Sequence, residues 1–166
     1  MKNNIKIVLA KPKDLDAIHE ILIQRCKWFK DNHIDQWKLD WYPKKYNNEY
    51  FLKQIKENFL YVSKNKKEVV GVMLLKKKDE KYWSNDNNSY FLHHFATKLG
   101  NKGVGKIMLK FACNKCLKDK KKYLRLDSKS SNDRLTKYYE SMSFINVKVN
   151  NNGIYKYKLW EKKIEN

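Results

Sequence analysis

The residues able to do chemistry in this chain gather between positions 91 and 140. The stretch LGNKGVGKIMLKF (99–111) sets Gly103 and Gly105 directly before a lysine-studded apolar run. Glycines there either shape a helix entry or clear side chains away so that backbone N–H groups reach a ligand. A helix start offers unpaired N–H donors and a partial positive charge, which suit an anion such as phosphate. The spacing is not that of a Walker loop, which needs Gly-Lys followed by Ser or Thr, and it does not extend to the dinucleotide-binding GxGxxG. Upstream lie His93 and His94, and imidazole is the side chain whose ordinary pKa makes it a proton acceptor near neutrality. Cys113-Asn114-Lys115-Cys116 has the spacing of half a zinc site. Both cysteines fall inside the helical run, away from its N-terminus, and no second pair completes four ligands, so they read as structural and no metal is expected.

These residues need elements to hold them. Residues 5–10 read as a strand, and a helix opening at Pro12–Asp14 keeps Leu15, Ile18, Ile21, Leu22 and Cys26 at helical spacing. Residues 31–45, with Trp37, Trp41, Tyr42 and Pro43, are too aromatic for a linker and too irregular for one helix. Residues 46–58 look helical, and 60–63 with 69–76 read as a hairpin. A polar excursion over 77–89 reads as a mobile loop. Strand alternation over 90–96 places Phe91, His93 and Phe95 on one face and Leu92, His94 and Ala96 on the other. A helix over 103–118, a strand over 123–127, a helix over 132–142 and strands over 144–149 and 153–160 complete the series. The order describes a mixed α/β domain with helices on both faces of a central sheet.

The chain has 166 residues, of which 42% are hydrophobic, enough for the core of one domain. No run approaches a membrane span or a signal peptide's apolar centre, and three cysteines argue against a disulfide framework. A cytoplasmic, reducing setting is expected. The net charge of +19 raises the alternative of a nucleic-acid binder, but Arg25, Arg125 and Arg134 are the only arginines. Base and phosphate recognition favours arginine's fork, so nucleic acid is not the expected partner.

Phe91-Leu92-His93-His94-Phe95-Ala96-Thr97, then Gly100-Asn101-Lys102-Gly103-Val104-Gly105, then Leu124-Arg125-Leu126-Asp127, then Asn132 with Tyr138-Tyr139-Glu140 and Phe144, together resemble the GNAT superfamily of acyl-CoA-dependent N-acetyltransferases. The resemblance spans essentially the whole chain and is strongest over 90–144. It implies one N-acetyltransferase domain over 1–166, built on a GNAT-like mixed sheet of about seven strands flanked by about four helices. In that family the fourth strand is bulged and splays from the fifth, and acetyl-CoA lies in the gap. By position, Phe95, Ala96 and Thr97 would offer backbone bonds to its pantetheine arm. Asn101, Lys102, Gly103, Val104, Gly105 and Lys106 would wrap the pyrophosphate, and Asn132 would be a further cofactor contact. The chain departs from the family pattern in three ways: Gly100 stands where Arg or Gln is usual, Ser143 stands where Gly precedes Phe144, and the stretch from Ala96 to Gly103 is about two residues shorter than typical for the family.

For amine acetylation the resemblance assigns protonation of the departing thiolate to Tyr139. The family's strand-borne carboxylate base aligns with Phe91, which closes that route. His93 aligns with a position at which some amine acetyltransferases carry a histidine, and a partly buried structural histidine is the alternative reading. His94 is the reserve. The acceptor is a small-molecule or peptide amine. Trp28, Trp37, Trp41, Tyr42, Tyr82 and Trp83 are candidates for its walls, and Asp127, Asp35 or Asp40 for its ammonium. A CoA-binding sensor with little catalysis is the runner-up. The sequence sets no oligomeric state.

Overall fold

The β-branched runs 60–65 and 68–76 are the centre of the fold because they carry side chains that pack on both faces of a sheet. The computed structural model describes residues 4–83 and 86–165. Seven strands, β1 (Ile5–Leu9), β2 (Leu60–Asn65), β3 (Glu68–Lys76), β4 (Ser89–Thr97), β5 (Tyr123–Lys129), β6 (Ile145–Asn150) and β7 (Tyr157–Lys163), form one sheet in the order β1-β2-β3-β4-β5-β7-β6. The pair β4 and β5 is parallel; every other neighbouring pair is antiparallel. This is the mixed α/β sheet expected from the sequence. β7 begins later than the strand read from sequence, because Tyr155 leaves the ladder and turns toward Asp127.

Helices α1 (Leu15–Asp31), α3 (Asn48–Lys56), α4 (Val104–Lys118) and α5 (Asp133–Ser141) are joined by one further turn, α2 (Tyr42–Lys45). The apolar stripe of α1, Leu15, Ile18, Ile21, Leu22, Cys26 and Phe29, is buried. It packs with Tyr42, Phe51, Val62, Val72 and Leu74 in a core on one sheet face. On the other face α4 sets Val104, Met108, Leu109, Ala112 and Cys116 against Met73, Leu75, Leu92, Leu124 and Trp160. Side-chain caps start two helices: the Asn47 carbonyl oxygen accepts from Tyr50 N–H, and that of Asn132 from Leu135 N–H, each at 3.1 Å. Among the described residues no helix is long and apolar enough to cross a membrane.

Ser143 explains one departure from the family pattern. It closes α5 with φ +64, the left-handed conformation a glycine adopts without strain. Gly100, a second departure, has φ +83, so it makes a turn that an arginine or glutamine resists.

Candidate active site

β4 and β5 pair over three residues only, Ser89–Phe91 against Tyr123–Arg125. The cause lies within β4. Val72 faces Ala96 and Leu74 faces His93, so His94 and Phe95 together oppose Met73, and His94 takes φ +48. Such a bulge bends the strand and increases its twist, and the edge of β4 beyond Phe91 is left without a strand partner on the β5 side. A cleft of about 1770 Å³ runs along that edge, past Phe95, Ala96 and Thr97, to the loop 98–103.

The bulge also corrects the simple alternation. Leu74 and Val72 belong to the α1 core, so their partners His93 and Ala96 face the same way. His94 joins them instead of opposing them, and Phe95 turns to the α4 face, where it packs with the α4 core. His94 is 8% exposed, and both ring nitrogens meet phenols, Nδ1 at Tyr42 and Nε2 at Tyr50, the latter at 3.0 Å. Burial first, then the charges of His93, Lys76 and Lys45, depress its pKa well below the ordinary imidazole value. His94 is a neutral strut for the bulge and has no nitrogen left to take a substrate proton.

At the loop end, α4 starts from Gly103 with φ +82 and no side-chain cap. The first bond into the helix runs from Ile107 N–H to Gly103 O at 3.2 Å, so the N–H groups of Val104, Gly105 and Lys106 precede it. The direction in which a Gly103 side chain would point is open, while a Cβ on Gly105 would sit 2.9 Å from Tyr138 Oη. The two glycines therefore have different reasons: Gly103 for its backbone, Gly105 for close packing against Tyr138. Lys102 and Lys106 are exposed beside this helix start. Asn101 and Lys102 N–H close the turn onto Lys98 and Gly100 carbonyls at 3.3 and 3.2 Å.

Helix α1 clamps this loop. Arg25 Nε donates to Thr97 O at 2.6 Å, Arg25 Nη2 to Thr97 Oγ1 at 2.8 Å, and Gln24 Oε1 accepts from Leu99 N–H at 2.9 Å. The Thr97 carbonyl is thus engaged within the protein. Asn132 is likewise occupied at both ends of its amide, Oδ1 as the α5 cap and Nδ2 on Gln36 Oε1 at 3.1 Å.

Further along, Tyr139 enters the cleft from the α4 face, held edge-on against Phe144 at 5.6 Å and beside Trp160 at 5.9 Å. It is 5% exposed, and burial, Tyr138 and Asp127 all raise its pKa, which keeps the phenol protonated. From the opposite face come His93 and Asp127, with Asp79 from the β3–β4 loop, their ligating atoms all within 4.8 Å of one another. His93 Nε2 lies 3.4 Å from Asp79 Oδ2, with the imidazole 24% and the carboxylate 7% exposed. Burial lowers the His93 pKa and Lys76 lowers it further, while Asp79 opposes both. The imidazole is therefore uncharged at neutral pH. Asp127 is pushed up to about 6, first by burial and then by Asp79, against hydrogen bonding from Tyr155. Two carboxylates this close disfavour joint ionisation unless a cation sits between them.

Aromatic walls surround this end. Trp37 stacks on Tyr42 at 4.7 Å, and Tyr46 packs on His94 at 4.3 Å. Tyr82 and Tyr155 lie opposite, 6.1 Å apart. In the 77–89 stretch, read from sequence as a mobile loop, Trp83 and Asp86 have partners elsewhere in the fold; Ser84 and Asn85 lie outside the described residues. Arg125 bonds Asp86 and Glu161 and places its guanidinium 4.6 Å over Trp83, which itself packs on Phe91. Trp83 is thus an anchor for the loop, whereas Trp28, Trp37, Trp41, Tyr42 and Tyr82 line the cleft. Of the candidate carboxylates, Asp127 lines the cleft, whereas Asp35 is engaged by Lys129 at 3.0 Å.

Sequence reasoning missed Asp79, Gln36, Gln24 and Tyr155, which stand in loops or mid-helix with no motif around them. For Arg25 a signal existed: it is one of three arginines in a lysine-rich chain. All three arginines make contacts at or beside the cleft, Arg134 and Arg25 flanking Trp28 at 4.9 and 5.8 Å.

With this geometry in view, the likeness to known proteins is specific. Residues 22–144 match the acetyltransferase (GNAT) family. The uncharacterized N-acetyltransferase YesJ of Bacillus subtilis (strain 168) is 24% identical over 160 residues, 92% of this chain and 86% of YesJ. The Thermoplasma acidophilum PaiA N-acetyltransferase, solved in complex with coenzyme A, superposes with a TM-score of 0.76 at 21% identity, covering 96% of this chain and 99% of PaiA. YncA, a putative acetyltransferase of Salmonella typhimurium solved with acetyl-CoA, gives 0.71 at 15% identity over 98% and 95%. A splayed β4–β5 pair, an uncapped glycine start to α4 and a family match over most of the chain agree: the chain belongs to the acetyltransferase (GNAT) family and is an acyltransferase.

Proposed function

We propose that residues 1–166 form one N-acetyltransferase domain that moves an acetyl group from acetyl-CoA to a primary amine by direct attack in a ternary complex. The observation that carries the reading is that Tyr139 and the His93–Asp79 pair reach one gap in the sheet from opposite faces. An acid and a base on either side of a reacting carbonyl are what aminolysis of a thioester needs.

The residues present suit the donor. The free edge of β4 has backbone groups for an amide-rich arm at Phe95 and Ala96, with Thr97 contributing less because Arg25 holds its carbonyl. Asn101 to Lys106 surround the α4 start, where N–H groups and the helix dipole favour phosphate, with Lys102 and Lys106 as added charges. Asn132 shapes the wall through its α5 cap instead of offering a free amide. The acceptor ammonium sits against Asp127 and Asp79 and gives its proton to His93, whose imidazolium Asp79 then stabilises. The nitrogen bonds to the carbonyl carbon, the C–S bond breaks, the thiolate takes the Tyr139 proton, and the nitrogen's remaining surplus proton passes to solvent, from which the Tyr139 oxygen is reprotonated. A cytoplasmic setting suits Cys26, Cys113 and Cys116, which are free thiols.

Two measurements test this. Acetyl-CoA and CoA should raise the melting temperature by mass action, whereas an oligonucleotide should not. Thiol release from acetyl-CoA should then require an amine. Stabilisation without amine-dependent thiol release would favour a sensor, and no stabilisation by either nucleotide would remove the reading.

A further inference from the structure

The acceptor end of the cleft carries charges of both signs. Its floor is acidic, with Asp79 and Asp127 beside His93. Its wall is basic: Lys45 from α2, Lys76 from the end of β3 and Lys81 from the β3–β4 loop all line the cleft. Among the described residues none of the three has a carboxylate within 4.0 Å, although Lys38, Lys64, Lys98 and Lys129 do. Lys45 and Lys81 are instead braced on rings, Lys45 5.3 Å over Tyr46 and Lys81 4.8 Å over Tyr82. The field of Lys76 reaches both histidines.

Lys76 is placed wrongly for the donor's phosphates: it pairs with Phe91, while Thr97, where the phosphate loop begins, pairs with Gly71 five residues back along β3, on the order of 17 Å away. The charges of Lys45 and Lys81 reach His94 and Asp127, at the same end as Lys76. Their charge therefore awaits something in the acceptor. A diamine or polyamine would satisfy the floor but bring its second ammonium toward three lysines, of which Lys45 and Lys76 have no carboxylate within 4.0 Å among the described residues and Lys81 is only partly offset by Asp127, a like-charge penalty that selects against it.

Building on the acetyl-transfer reading, we propose that the acceptor is a primary amine that also carries an anionic group, carboxylate or phosphate, with the nitrogen held between Asp79 and Asp127 and the anion held by Lys45, Lys76 and Lys81. The basic wall then supplies selectivity and a salt-sensitive association, and the acidic floor supplies orientation.

The test is thiol release from acetyl-CoA with four length-matched series: ω-amino carboxylates, ω-aminoalkyl phosphates, neutral alkylamines and α,ω-diamines. At the best length, kcat/KM for an anionic amine should exceed that of the diamine by at least about tenfold, and the gap should shrink with added salt. The better of the carboxylate and phosphate arms identifies the anion. Lys45→Glu and Lys76→Glu should each shift the anionic-to-diamine ratio toward the diamine, a change of preference that misfolding does not produce. Diamines turned over as well as anionic amines, or lysine variants that lower all series alike, would overturn the inference and leave acetyl transfer standing. Bound acetyl-CoA with no turnover in any series would overturn the acetyl-transfer reading, and this inference with it.

Discussion

The two ends of the cleft are built from different materials. On the proposed reading, the end that takes the donor is mainly backbone: the unpaired edge of β4, the N–H groups at the start of α4 and the turns at Gly100 and Gly103. The acceptor end is mainly side chains, and they come from separate segments: Trp37 and Tyr46 near α2, Tyr50 on α3, Asp79 and Lys81 in the β3–β4 loop, Asp127 on β5 and Tyr155 before β7. Backbone geometry of this kind is set by short local patterns, so the donor end should break through conformational substitutions. The acceptor end should yield to changes of charge.

The largest effect is expected at Gly103. Gly103→Val forces a β-branched residue to φ +82 at an uncapped helix start and fills open space beside it. The Kd for acetyl-CoA should rise by about a hundredfold or more, since both strain and lost anion contacts act on one site. Calorimetry reads this, with circular dichroism showing that the fold persists. Gly105→Ala should weaken binding far less, and a second substitution, Tyr138→Phe, should restore it by removing the oxygen that the new methyl meets. Equal losses at both glycines would remove the distinction drawn between them.

Next comes the reacting gap. Tyr139→Phe deletes one hydroxyl, and kcat should fall by roughly ten- to a thousandfold with the Kd for acetyl-CoA unchanged. Full activity with chemistry rate-limiting would dismiss the acid.

The base leaves a pH signature. Because burial lowers the His93 pKa, the acidic limb of kcat/KM should lie below the ordinary imidazole value of about 6.5, with activity lost as pH falls through it. His93→Gln should remove that limb. A limb that stays near 6 in His93→Gln and vanishes in Asp127→Asn would move the base to Asp127. Asp127→Asn also has a stability consequence of definite sign. A carboxyl whose folded pKa is raised disfavours folding as pH climbs from its unfolded value through about 6. The asparagine variant should therefore melt higher than the parent at pH 8, by a few degrees for a chain of this size, while the amine KM rises.

The smallest expected effect lies outside the cleft. Ser143→Gly relieves a left-handed serine and should add about 1 kcal/mol of stability by denaturant titration, without changing either Kd or kcat.

The same division explains what could be read before the fold was known. The strand and helix order, Gly103 at the α4 entry and Tyr139 on α5 follow from residue types at short spacings. Asp79 was hidden because its partner His93 lies across a loop, and pairing at that distance leaves no periodic trace. The fate of His94 was hidden for a different reason. Alternation assumes two residues per pleat, and one extra residue at the bulge sends Phe95 to the face that alternation assigns to His94. The polar composition of 77–89 gave no sign of the contacts that Trp83 and Asp86 make with Arg125, because Arg125 lies on a distant strand.

The His94 bulge has a kinetic consequence. Its ring is fixed by two phenols and surrounded by aromatic side chains, so the divergence of β4 from β5 is a property of the folded chain and not of its ligands. If acetyl-CoA takes this slot as proposed, the slot stands open in advance and little ordering cost should attend the nucleotide's arrival. Association should then proceed in a single step, its observed rate rising linearly with acetyl-CoA concentration without reaching a plateau set by an opening transition.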